Sequence, residues 1–147
     1  MTHEEIAKQN FINGYNCAQA VLCAFEDVTG LEKETAAKLA SSFGGGIGRM
    51  REVCGAVSGA CMVLGLVKGY ADPKAGKEKT DHYALIQEFA RRYKEENGSI
   101  ICRELLQGVP VTTGGVPEER TENYYKKRPC AELVACAAGI VEELLNG

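Results

Sequence analysis

Seven cysteines are spread along this 147-residue chain: Cys17, Cys23, Cys54, Cys61, Cys102, Cys130 and Cys136. An odd number cannot all pair, and no two of them form a C-x-x-C. That spacing rules out the thioredoxin motif, the zinc-ribbon pattern and the C-x-x-C-H of covalent haem attachment. Thiols that work together here must be gathered by the fold from distant segments. Four of them, Cys17, Cys54, Cys102 and Cys130, fall at or near the first turn of a predicted helix. A helix N-terminus offers unpaired N–H groups and the positive end of the macrodipole, which favour a thiolate. Thiolates are both the nucleophiles and the metal ligands of cysteine chemistry. Cys23, Cys61 and Cys136 lie deeper in the same helices and are expected to be packing residues, since free cysteine is among the most buried side chains. Among the four, Cys54 is expected to be the most acidic. Arg49 and Arg51 stand close by in the chain, Gly55 and Gly59 remove bulk beside it, and only Glu52 opposes.

The elements that must position these thiols are helices. The stretch from Phe43 to Gly69 opens with Gly44, Gly45, Gly46 and Gly48 and carries no charge from Val53 to Val67. That run is too long for an ordinary strand and short of the roughly 20 apolar residues of a membrane helix. Gly55 and Gly59, then Gly65 and Gly69, fall on one helical face, where small residues admit a close neighbour. A central buried helix is predicted over Val53–Val67. Thr2 with Glu5 opens a first helix through about Asn13. Asn16, with Gln19 three residues on, caps a second that runs to Gly30. A third spans Glu32 to Ser42 and breaks at the glycines. Asp72-Pro73 is predicted to open a long amphipathic helix with His82, Leu85, Ile86, Phe89 and Tyr93 on one face, ending near Gly98. His82 is read as a satisfied core histidine, and Arg91, Arg92, Lys94, Glu95 and Glu96 as a solvated, ion-paired face. Ser99 caps a shorter helix bearing Cys102. Pro129 opens the last one, with Cys130, Leu133, Val134, Ala137, Val141, Leu144 and Leu145 as its seam. Gly108 to Lys127 is irregular, and loops of that length inside a compact domain are usually functional. Tyr124, Tyr125, Lys126, Lys127 and Arg128 are expected to tie its end down.

No segment alternates like a strand, so the fold class is all-α: one domain, residues 1–147, of six or seven helices around the central glycine-containing helix. A net charge of −3 argues against a nucleic-acid partner. The polar, acidic start MTHEEIAKQN lacks the basic and apolar regions of a signal peptide, so a cytoplasmic location is expected and structural disulfides are not. Membrane insertion is not expected. A symmetric homodimer is, from the small domain and its glycine-lined central helix.

Cys17 in GYNCAQAV, Cys54-Gly55-Ala56-Val57-Ser58-Gly59, and single downstream cysteines at 102 and 130 resemble the C_GCAxxG_C_C family of redox-active proteins over nearly the whole chain. The family label writes Gly before Cys, whereas this chain reads Cys54-Gly55-Ala56. The resemblance implies a prokaryotic redox protein, often encoded beside transporter genes, and so an electron-transfer or transporter-associated partner. It also implies distant similarity to a non-haem region of split-Soret cytochromes. Three functions then stand in order. The first is redox chemistry in which Cys17, Cys54, Cys102 and Cys130 converge, as iron–sulfur ligands or as dithiol and disulfide. The second is a zinc-stabilised adaptor using the same four ligands. The third is a thiol-dependent enzyme holding a small substrate under the Gly108–Lys127 loop.

Overall fold

The computed structural model describes residues 1–147, with every side chain except those of Lys126 and Lys127. The expected all-α architecture holds. Six helices have seven residues or more: α1 (His3–Ile12), α2 (Cys17–Cys23), α4 (Lys33–Ala40), α5 (Gly55–Lys68), α6 (Gly76–Asn97) and α9 (Cys130–Asn146). Three short ones, α3 (Glu26–Thr29), α7 (Cys102–Leu105) and α8 (Glu122–Lys127), bring the described total to nine, above the six or seven expected.

Small residues decide how the central helix is used. A Cβ on Gly59 would lie 2.6 Å from the Ala18 carbonyl oxygen, and one on Gly55 would lie 3.0 Å from Cys17 Cβ. The first half of α5 therefore rests directly on α2, as the four-residue spacing predicts. Its second half does not continue that contact: a Cβ on Gly65 would meet nothing within 4 Å, and Leu66 and Val67 are exposed. Ala56, Val57, Ala60, Val63 and Leu64 of α5 join Leu133, Val134, Ala137, Ile140 and Val141 of α9 in one core. Full burial of such side chains stabilises by about 1.5–3 kcal/mol each for the larger ones. α1 lies along α9, and α6 contributes Phe89 and Tyr93, both fully buried.

Several boundaries differ from the sequence reading, each for a local reason. The helix expected from Cys17 to Gly30 breaks after Cys23, where Ala24 and Phe25 donate to carbonyls three residues back. The break turns Phe25 inward, where its ring stacks on His3 at 4.2 Å. Asp72-Pro73 does not open α6. Asp72 closes a turn by accepting from the Lys74 N–H at 2.9 Å, and the helix starts at Gly76. Ser99 accepts from the Ile101 N–H instead of capping α7. The end of the irregular 108–127 stretch is helical, because Thr121 accepts from the Tyr124 N–H and starts α8. His82 is only half-buried, and its Nδ1 is buried without a hydrogen-bond partner among the described residues.

Candidate thiol site

Each of the four candidate cysteines is placed by backbone chemistry. Asn16 caps α2 reciprocally with Gln19, and this fixes Cys17 at the first helical position. Cys54 is the N-cap of α5, its carbonyl accepting from the Val57 and Ser58 N–H groups. Cys102 begins α7, and Cys130 begins α9 directly after Pro129. One feature has no sequence signal. Val53 and Ile101 form an isolated antiparallel bridge, flanked by Cys54 N–H to Ile100 O at 2.8 Å and Cys102 N–H to Glu52 O at 2.6 Å. A single residue pair has no period to read, yet it ties the segment of Cys54 to that of Cys102.

The glycine cluster is a left-handed turn. Gly45, Gly46, Ile47, Gly48 and Arg49 all have φ between +52° and +73°, and Arg51 follows at +61°. For a residue with a Cβ that region costs about 1–2 kcal/mol. The turn offsets this with Gly48 N–H to Ser42 O at 2.8 Å and Glu52 N–H to Gly46 O at 2.9 Å. Only glycine fits at position 46, where a Cβ would come 2.8 Å from Cys102 Cβ.

All four thiols line one cavity of about 50 Å³, together with Gly45, Gly46, Arg51, Arg120, Arg128 and Tyr124. Cys23, Cys61 and Cys136 do not line it. The four are not alike electrically. Hydrogen bonding from Cys17 pulls the Cys130 thiol below its ordinary value against the effect of burial, with Arg128, Arg120 and Arg51 assisting. Cys17, the donor, is pushed well above its ordinary value by that same bond and by burial. Burial pushes Cys54 up to about 11, more than Tyr93 and the Ala56 and Val57 amides recover. Burial also raises Cys102, while Arg51 pulls the other way from 3.8 Å.

The expectation that Cys54 is the most acidic thiol is therefore overturned. Arg49 turns away from it to the carbonyls of Thr112, Gly114 and Val116, and Arg51 reaches Thr112 and Cys102. Tyr93 hydroxyl, 3.5 Å from Cys54 Sγ, is the neighbour that was missed.

Around the cavity the arginines bind the irregular stretch in place. Glu118 pairs with Arg49 at 3.3 Å, with Arg51 at 3.5 Å and with Arg128. Burial disfavours its charge, but donation from the Thr112 amide and hydroxyl and from Arg128 outweighs burial and holds the carboxyl at about 2. Arg120 donates to Phe11 O at 2.7 Å and Tyr15 O at 2.9 Å and stacks on Phe11. Arg128 stacks on Tyr124, and Tyr125 hydroxyl donates to Ile12 O. Tyr124, Tyr125 and Arg128 thus tie the stretch down as expected; the parts assigned to Lys126 and Lys127 fall outside the described side chains.

No group of three or more His, Cys, Asp or Glu among the described residues is spaced to hold a metal ion. No helix among them is long and apolar enough to cross a membrane. No curated protein and no solved structure matches the chain. A family model described as "Putative redox-active protein (C_GCAxxG_C_C)" matches residues 15–144, a span that holds all seven cysteines, the left-handed turn and the arginine cluster. The chain belongs to the C_GCAxxG_C_C family of redox-active proteins.

Proposed function

We propose that the protein is a thiol–disulfide oxidoreductant in which Cys130 attacks and Cys17 resolves. The observation that supports this is one cavity, rimmed by Arg51, Arg120 and Arg128, that gathers Cys17 and Cys130 and moves their thiols in opposite directions, Cys130 below its ordinary value and Cys17 above. Cys130 Sγ attacks a disulfide, a mixed disulfide forms, and one substrate thiol leaves with a proton. Cys17 then gives up its proton and attacks Cys130 Sγ, releasing the second substrate thiol. Two electrons and two protons pass from the protein dithiol to the substrate. Cys54 and Cys102 add a second thiol pair to the same cavity.

The test is to oxidise the reduced protein with one equivalent of a small disulfide and map the product by peptide mass spectrometry. A Cys17–Cys130 link is the expected result. Retention of both thiols, with a different pair joined, would overturn the assignment.

A second reading has its own support in the four-thiol cavity and its excess of positive charge, which would offset a four-thiolate centre. As placed, the thiols do not form a chelate, so Cys17, Cys54, Cys102 and Cys130 would have to draw inward to hold an iron–sulfur cluster or zinc. Anaerobic purification with a visible spectrum and metal analysis separates the readings. A brown sample containing iron and sulfide supports the cluster, a colourless zinc-loaded one the adaptor, and a metal-free dithiol the first reading.

A further inference from the structure

A second space adjoins the thiol cavity. It is a cleft of about 260 Å³ between the left-handed turn and the 115–120 stretch, and Arg49, Arg51, Arg120 and Arg128 line it. Glu118 is the sole carboxylate in its wall among the described residues. Four guanidinium groups thus face one counter-charge. Two of them are deeply buried: the side chains of Arg51 and Arg128 are 6% and 5% exposed. Among the described residues Glu118 is the only hydrogen-bond partner of the Arg128 guanidinium, whose face stacks on Tyr124. A buried charge in excess of its partners is unfavourable until an anion meets it.

Thiolates can answer that charge from the cavity side. On the cleft side only Glu118 does so among the described residues, one carboxylate against four guanidinium groups. Guanidinium is planar, permanently charged and matched to the two oxygens of a carboxylate. The cleft and the thiol cavity share Arg51, Arg120, Arg128, Gly45 and Tyr124 in their walls. An anionic group seated on these arginines would leave the adjoining atoms of the same small molecule at the thiols.

We propose that this arginine cleft selects small disulfides bearing carboxylates as the substrates of the dithiol. The assignment rests on the thiol–disulfide reading above and adds the substrate class. The carboxylate stays on the arginines while the substrate S–S bond is broken by Cys130 and its two electrons come from the Cys17–Cys130 dithiol. Two substrate thiols leave, each still carrying its carboxylate.

The experiment compares three disulfides on the reduced wild-type protein: dianionic dithiodipropionate, neutral hydroxyethyl disulfide and dicationic cystamine. Stopped-flow loss of thiol gives each rate, divided by the rate of dithiothreitol with the same compound to remove intrinsic reactivity. The dianion is expected to be favoured about tenfold or more over the neutral compound, with the cation slowest, and the advantage to shrink as salt rises. Suberate, a dicarboxylate of similar length without a sulfur–sulfur bond, should slow the dianion competitively. It should also protect Cys130 from iodoacetamide. Arg128→Gln should erase the preference, and Arg128→Lys should retain part of it; the charge series on the wild type decides if either variant fails to fold. Equal normalised rates with all three compounds would overturn the cleft assignment and leave the dithiol reading standing. No reaction with any of them would overturn the dithiol reading, while suberate protection would still register the anion site.

Discussion

Cys130 and Cys54 both sit at helix starts, yet their surroundings drive them in opposite directions. Cys130 has a thiol donor in Cys17 and three guanidinium groups acting on it; Cys54 is sealed beside Tyr93 and pushed up to about 11. In timed iodoacetamide labelling of the reduced protein at pH 7, Cys130 should therefore react before Cys54. Cys17→Ala removes the donor that lowers Cys130, so the pH midpoint of Cys130 alkylation should move upward. If Cys54 is labelled first, or the midpoint does not move, the assignment of the attacking thiol is wrong. Cys17, Cys54 and Cys130 were legible at helix entrances because Asn16, the start of an uncharged run and Pro129 mark them, whereas Ser99, the mark read for Cys102, does not cap its helix. The ranking of the four was not legible. Arg49 and Arg51 are close to Cys54 along the chain, but left-handed backbone at both residues sends their side chains elsewhere. Acidity followed the contacts made through space: Cys17 and Arg51 reach Cys130 from distant segments, while Arg128 stands two residues before it in the chain.

Among elements, the left-handed turn and the 112–118 stretch form a clasp. Arg49 and Arg51 reach across from the turn, and Glu118 is the carboxylate on which the clasp closes. Glu118→Gln keeps the shape and removes the charge, leaving two buried guanidinium groups without their counter-ion. The variant should lose about 2–4 kcal/mol at pH 7 by thermal or urea unfolding. The sign with pH follows from the depressed carboxyl. Its stabilisation is fully present above the ordinary carboxylate value of 4.5 and is lost as pH falls toward about 2. Wild type and variant should therefore converge in stability across that window; a difference that stays undiminished from pH 5 down to pH 2 would show that the clasp does not depend on this charge. The glycine cluster announced unusual backbone in the sequence, and Gly55 and Gly59 announced the α2 contact. The Gly55 contact also accounts for the Cys54-Gly55 order, since a side chain at 55 would meet Cys17 and Phe43. The arginine-to-carbonyl clasp gave no such sign, because neither partner belongs to a periodic element.

The whole molecule is polarised. The starts of α2, α5, α7 and α9, the left-handed turn and the arginine clasp all meet at the thiol cavity, whereas the second half of α5 leaves Leu66 and Val67 exposed, as is Tyr83 of α6. We propose that a second copy of the chain covers the exposed apolar side chains at the end of α5, giving a homodimer. Light scattering at high micromolar concentration should return twice the 15.8 kDa chain mass. Leu66→Glu should restore the monomer without changing thiol reactivity, and a wild-type monomer would dismiss the dimer. The all-α class was readable at this scale because every long segment carries a helical period. The meeting of four cysteines was not, since no spacing along the chain encodes it. That distribution also sets a schedule for biosynthesis. The cavity draws on residues 17, 54, 102 and 130, so no ribosome-bound intermediate lacking the α9 segment can contain it. At about 5–20 residues per second, Cys17 leaves the ribosome roughly 6–23 s before Cys130 follows. Through that interval the nascent chain has Cys17 without Cys130, and the four cysteines can meet only when the segment that closes the core against α1 and α5 arrives.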